Sequence, residues 1–310
     1  MTLPLSIIMS VYNDEKHLNN AIRSIRNQTY ADFEFIAVND ASTDNSLEIL
    51  HHHQEKDPRI RIYNNYKNVG LTKSLNTALK LANGKFIARQ DADDLSRPDR
   101  LTKQLQYFEE HQNVVLLGTA GYLIDEEGRT LAYDSVLNGS GKLKKKLLVK
   151  NQFMHGSVMI RRCELLEIGG YRQEFKYAQD YDLFLRISEK YDIDNLPEPL
   201  YFYRIKPEAI SVIRSRQQQI CAFVALAASK ERKAGKLANW DAAIFAAYEK
   251  KVTSGRYLKR IDCNLSLTKG RNSMLSGDRQ QARKDFIAAF RIKPSPQTLY
   301  HLVRSYVTKK

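Results

Sequence analysis

A regular alternation in the N-terminal third constrains this chain more than any other feature. Four short apolar runs, "LSIIMSVY" (Leu5–Tyr12), "FEFIAVND" (Phe33–Asp40), "RIRIYNN" (Arg59–Asn65) and "KFIARQ" (Lys85–Gln90), are separated by segments with helical periodicity. Runs this short and this apolar suit strands covered on both faces. Between them, Leu18, Ala21, Ile22 and Ile25, and later Leu71, Leu75, Ala78, Leu79 and Ala82, each fall on one helical face. Ser42 or Thr43 is the expected cap of the second helix, and Gly84 the expected stop of the third. Strands alternating with helices predict an α/β fold, a Rossmann-like domain with a mixed, mostly parallel sheet. Ligands of such sheets lie beyond the carboxyl ends of the strands, and Asn13, Asp40 and Asp91 each fall just past one.

The chain continues with a helix from Leu101, a hairpin turning at Asp125–Gly128, a strand in "MHGSVMIRR" and a helix over Ala178–Tyr191. After Ser211 the composition turns helical. "SGDRQQARKDFIAAFRIKPSP" places Ala282, Phe286, Ala289 and Phe290 on one face after Asp278, as in one tetratricopeptide-like helix pair, with "PQTLYHLVRSY" as a packing partner. Charge divides the chain at the same place. Of 49 Lys/Arg and 35 Asp/Glu, 21 and six lie from Arg214 onward, leaving 28 against 29 before it. Two regions are therefore expected, 1–213 and a basic α-helical 214–310, the second facing something anionic.

"DADDLSRPDRL" (Asp91–Leu101) concentrates acid directly after the fourth run. Two adjacent carboxylates about 5 Å apart repel by about 3 kcal/mol at an effective dielectric near 20. A hard cation, Mg²⁺ or Mn²⁺, relieves this, and Mg²⁺ completes its shell with water and substrate phosphates. Asp91 and Asp93 are the candidates. Asp94 or Ser96 as cap, Pro98 near the first turn and Asp99 beside the dipole describe a helix start equally well.

These segments together resemble the family 2 glycosyltransferases, over roughly Pro4 to Ser211. "SIIMSVYN" looks like the opening strand and nucleotide loop, and "VNDASTDNS" (Val38–Ser46) like the second nucleotide motif. "NVGLTKSLNTAL" (Asn68–Leu79) is similar to the Asn-x-Gly segment. "DADDLSRPDRL" matches the Asp-x-Asp motif with its Pro-x-Arg-Leu tail, and "AQDYDLFLR" the motif of the catalytic base. The resemblance implies a GT-A fold, an inverting mechanism and a nucleotide-sugar donor, with UDP as the expected nucleotide. It implies donor contacts at Val11, Tyr12, Asn13, Asp40, Asn68, Lys73, Asp91, Ala92 and Arg204. Tyr12 would stack on the base, Asp40 accept its imide N–H, and Arg204 meet the diphosphate. Asp93 would be the metal ligand, with Mg²⁺ or Mn²⁺ as cofactor. Asp180 would be the general base, taking the proton of an acceptor hydroxyl on a glycan or lipid-linked oligosaccharide. His155, Gln179 and Lys206 would lie near the acceptor. Relatives often have Glu before the base, where this chain has Gln179. They often carry His where this chain has Lys206, which can serve phosphate only as a point charge.

Other classes fit less well. A nucleotidyltransferase would want a Gly-rich basic loop after the first strand, and "SVYNDEKH" is not one. A nucleic-acid binder would interleave basic residues with exposed aromatics, whereas Phe223, Phe245, Phe286 and Phe290 fall at helix-core spacing. A membrane- or polyanion-binding protein without transferase activity is the remaining alternative. Three widely spaced cysteines argue against a disulfide framework. His51–His53 end a surface helix, and Lys142–Lys146 either meet an anionic acceptor or form a solvated face. No apolar run reaches membrane-spanning length, and the start lacks the features of a signal peptide. A cytoplasmic protein is expected, with peripheral contact to an anionic membrane through the basic region and no nucleic-acid partner.

Overall fold

A computed structural model of the chain describes residues 5–205, 215–254 and 256–307. The chain divides into two compact units, Met1–Lys206 and Pro207–Lys310. Lys206 and the expected boundary at 213/214 lie outside the described residues.

The first unit opens with the expected alternation: β1 (Leu5–Val11), α1 (Glu15–Arg26), β2 (Phe33–Asn39), α2 (Ser46–Lys56), β3 (Ile60–Asn64), α3 (Leu71–Leu81) and β4 (Phe86–Arg89). It continues through β5 (Leu95–Ser96), α4 (Arg100–Glu110), β6 (Val114–Ile124), β7 (Thr130–Asp134), α5 (Ser140–Leu147), β8 (Met159–Arg161), α6 (Arg162–Glu167), α7 (Gln179–Lys190) and β9 (Asp192–Arg204). The sheet runs β3-β2-β1-β4-β8-β6-β9-β5, with β7 added to β6. Its first half is parallel, as the apolar runs predict. β8 then lies antiparallel between β4 and β6, and β6 pairs parallel with β9. β2 is buried along its whole length, and α1 lays Leu18, Ala21, Ile22 and Ile25 on the core. Each of the Leu and Ile side chains removed from water stabilises the fold by about 1.5–3 kcal/mol.

Four local expectations are corrected. Ser42 and Thr43 do not cap α2; Asn45 holds the cap position without a side-chain bond, and Ser42 and Thr43 bond Asn13 instead. α3 ends at Leu81, and Gly84 instead packs on the backbone of Leu5 and Ser6, where no Cβ would fit. "MHGSVMIRR" is not one strand: a 3-10 turn at His155–Ser157 precedes the short β8. Neither Asp94 nor Ser96 caps α4. Asp99 holds that position, while the Ser96 hydroxyl donates to Gln90 Oε1.

The second unit contains α8 (Ser215–Lys233), α9 (Ala242–Val252), α10 (Arg256–Leu275), α11 (Arg279–Ile292) and α12 (Pro296–Val307). Asp278 caps α11 by accepting from Gln281 N. Cys263 and Leu267 of α10 meet Ala282, Phe286 and Ala289 of α11 in a core of its own. Phe290 is not part of that core.

Candidate active site

Strand order reverses between β1 and β4, so a crevice opens beyond their carboxyl ends. Its rim on the β1–β2 side is cross-linked by small polar groups. Asn13 stands at φ 54°, a left-handed conformation that Asn tolerates. Its Oδ1 accepts from Thr43 N at 2.8 Å, and its own N–H donates to Ser42 Oγ at 3.2 Å. Asp14 N donates to Ser46 Oγ, and Glu15 N to Asp44 Oδ2. Tyr12 projects from this rim, 46% exposed, while Val11 is buried beneath it.

Asp40 has a different job from the one expected. It is 2% exposed, and its carboxylate accepts from Asn65 Nδ2 (2.7 Å), Val69 N (2.9 Å) and Gly70 N (2.8 Å). It therefore shapes the loop that carries the exposed Asn68 and leads into α3, where Lys73 is exposed on the first turn.

The acidic turn after β4 rests on buried cations. Arg89, 1% exposed, donates to Asp91 Oδ1 at 2.5 Å. Arg100, fully buried, donates to the carbonyls of Arg89 (3.0 Å) and Gly156 (2.8 Å). Burial lowers its pKa to about 10. The hydroxyl of Tyr201, from β9, accepts from Asp91 N at 3.2 Å. Asp93 is half-buried and Ala92 buried in the same turn. Asp94 points inward, and its Oδ1 accepts from Arg204 N at 2.7 Å. Burial, with the charges of Asp93 and Asp91, pushes its carboxyl well above the usual range.

Arg204 is placed differently from a diphosphate contact. It is 4% exposed, and its guanidinium donates to the carbonyls of Asp93 (2.8 Å), Asp125 (2.6 Å) and Glu126 (2.8 Å). It clamps the acidic turn to the β6–β7 hairpin.

Asp180 lies in the first turn of α7, behind Ala178, which is held at φ 53°. Asn151 Nδ2 donates to its Oδ2 at 2.8 Å. Burial pushes the carboxyl up to about 6, and the nearby negative charge of Asp91 adds to the rise. Hydrogen bonds from Asn151 and from the backbone of 180 and 181 oppose it. His155 Nε2 and the Tyr171 hydroxyl are 2.8 Å apart beside this pair. Burial holds the imidazole well below its ordinary value, so it is neutral near pH 7. Gln179 is buried next to Asp180.

Asp91, His155 and Asp180 are thus brought into one cluster, and Tyr12, Asn13, Asp40 and Asn68 onto one rim. Gly156 closes the floor between them. A Cβ there would collide with the Tyr201 hydroxyl and come within 2.7 Å of Asp91 Oδ2. Arg89, Arg100, Tyr201, Asn151, Tyr171 and Gly156 were not singled out from the sequence. Arg100 alone had a signal there, in the Pro-x-Arg-Leu tail. The arrangement can accept a proton at Asp180 and bind a cation at the acidic turn, through which a phosphate could be held.

Residues 6–169 match the profile of Glycosyl transferase family 2. An uncharacterized glycosyltransferase of Methanocaldococcus jannaschii is 36% identical over 231 residues, 73% of this chain and 79% of that protein. The O-antigen biosynthesis glycosyltransferase WbnJ of Escherichia coli is 38% identical over 208 residues, 65% of this chain and 79% of WbnJ. Among solved structures, S. aureus TarS 1-349 in complex with UDP-GlcNAc superposes with a TM-score of 0.62 at 17% identity, covering 98% of this chain and 89% of that one. The mannosyltransferase PcManGT from Pyrobaculum calidifontis, in complex with GDP-Man and Mn²⁺, gives 0.58 at 17% identity, over 97% and 79%. With the parallel half-sheet, the crevice at its switch point and the acidic turn where the family motif falls, the chain belongs to glycosyltransferase family 2 and is a glycosyltransferase of GT-A fold.

Proposed function

We propose that the chain moves a sugar from a nucleotide diphosphate sugar, with UDP as the nucleotide, to a hydroxyl of a cell-surface glycan or lipid-linked oligosaccharide. The observation that carries this is the Asp180 carboxyl, raised to about 6, held by Asn151 and close enough to the acidic turn to feel the charge of Asp91. A base is most effective when its pKa lies near the working pH. Asp180 takes the proton of the acceptor hydroxyl as its oxygen attacks the anomeric carbon. The bond to the diphosphate breaks on the opposite face, so configuration inverts. Tyr12 offers the base a stacking surface, Asn13, Asn68 and Lys73 line the donor's way in, and Asp91 meets ribose or phosphate. Names of relatives such as WbnJ support a polysaccharide or O-antigen product.

The donor set suits a cation that shares its shell with substrate. Among the described residues no three His, Cys, Asp or Glu form a cage. One or two carboxylates of the turn are what Mg²⁺ or Mn²⁺ takes when phosphate oxygens and water complete the shell. Asp93 would hold it, with the buried Asp94 next to it in the same turn. Such a cation, when bound, neutralises charge on the leaving diphosphate. The basic second unit would face an anionic surface, giving a peripheral place on the cytoplasmic side of a membrane. Among the described residues, no helix is long and apolar enough to cross one.

Two substitutions test the assignment. Asp93→Ala should abolish cation-dependent donor binding, measured by calorimetry across a panel of nucleotide sugars. Asp180→Asn should leave donor binding within about twofold and lower transfer by about a hundredfold or more. Near-normal turnover in Asp180→Asn would remove Asp180 from the role of base.

A further inference from the structure

We propose that α12 is the surface by which this chain lies on an anionic lipid bilayer. The proposal rests on the reading above that the basic unit faces such a surface, and it names the element and the residues. The helix is packed inside out. Thr298 and Ser305 are its buried residues, with Leu302 half-buried against the Phe286 cluster. Leu299 (48%), Tyr300 (59%), Val303 (51%), Tyr306 (58%) and Val307 (71%) are exposed. At 100° per residue these five side chains occupy one arc of roughly 120°. No residue of that arc is charged. A hollow of about 370 Å³ lies along it, lined by Tyr300, Val303, Arg304 and Val307.

Basic groups border the arc. Arg304 stands at its edge on the same helix. Arg283, from α11, lies over the Tyr306 ring at 4.4 Å and donates to Ser305 O. Lys309 and Lys310 follow in the sequence. An apolar stripe with tyrosines and a cationic border is the pattern of a helix lying in a bilayer interface. There the rings sit at headgroup depth, and each cation near an anionic leaflet adds to the attraction. Charge also selects among occupants. From Arg214 onward there are 21 Lys/Arg against six acids. A two-fold contact between copies through α12 would bring Arg283 and Arg304 of both together, which like charge disfavours. An anionic leaflet has the opposite sign.

The test uses the full chain and vesicles of phosphatidylcholine with or without about one-third phosphatidylglycerol. At low ionic strength the wild type should sediment with the anionic vesicles and not with the neutral ones. Val303→Asp/Val307→Asp should bind at least about tenfold more weakly. Its hydrolysis of donor in solution should be unchanged, because neither residue belongs to the active site. Tyr306→Ser, a milder change, should weaken binding in the same direction if the double variant fails to fold. Wild-type protein that stays in the supernatant, or variants that bind as well as wild type, would overturn the proposal. So would a wild-type dimer, by light scattering, that the double variant converts to monomer without any vesicle binding. Donor hydrolysis measured on the same samples reports separately on the transferase reading.

Discussion

A carboxyl that titrates near pH 6 sets activity and stability against each other. The Asp180 value is raised from 3.8 to about 6 in the folded chain. Below about pH 4 the group is protonated in both folded and unfolded states, and its contribution to stability is fully present. As pH rises through about 6 that contribution is lost, because the unfolded chain has already released the proton. Proton acceptance needs the ionised form, so activity moves the other way. The expected kcat/KM profile therefore has an acid limb with an apparent pKa near 6, checked by initial rates between pH 5 and 8. A flat profile across that range would rule out Asp180 as the titrating base. Asp91 and Asp93 could be picked out from the sequence, because carboxylates just past a strand stand out against an apolar pattern, and Asp180 through the resemblance of its segment to a family motif. Their partners could not. Asn151 meets Asp180 across 29 positions, and Tyr201 meets Asp91 across 110. Only tertiary packing makes those pairs. Asp40 stood out for the same reason as Asp91 and Asp93, and Arg204 through the resemblance, and folding gave Arg204 to backbone carbonyls and Asp40 to two backbone N–H groups and Asn65.

At the scale of elements, the site depends on three pieces meeting at one point: the turn after β4, β9 and the 3-10 turn before β8. Gly156 is where they touch. Tyr201 is fully buried and cannot swing away. Gly156→Ala should destabilise the first unit by about 1–3 kcal/mol through overpacking. It should also weaken donor binding, since Asp91 must move. A denaturant titration with a donor-binding isotherm on the same protein checks both, and an unchanged midpoint would refute the close packing. The parallel half of the sheet was legible because strands buried on both faces read as continuous apolar runs. The second half was harder. Only three residues of "MHGSVMIRR" stay in a strand, because Gly156 and Ser157 turn to bring His155 beside Tyr171. Capping was misread where a side chain had another partner on the same rim, as the Thr43 hydroxyl has in Asn13 Nδ2.

For the whole molecule, each unit has a hydrophobic cluster of its own. Phe286 is 2% exposed and packs against Gly270, where a Cβ would come within 2.5 Å of its ring. Phe286→Ala should lower the stability of the helical unit by about 3–5 kcal/mol. Calorimetry should show that loss in one transition while donor hydrolysis persists; a parallel loss of hydrolysis at low temperature would mean the two units do not act separately. A basic excess in the last third was legible in the sequence, since charge needs no geometry to be counted. The face of α12 was not, because helical periodicity places apolar residues on one side without saying which side turns inward. Its packing has a consequence for how firmly each part of the unit is held. Around Phe286 the helices share buried rings and aliphatic groups; α12 adds the His301 ring stacked on Phe286, a half-buried Leu302 and two small polar residues, Thr298 and Ser305. Opening that last helix exposes little new apolar surface and so requires little free energy. A helix that buries little apolar surface is then also the one proposed to meet lipid, and contact with the bilayer would tighten it.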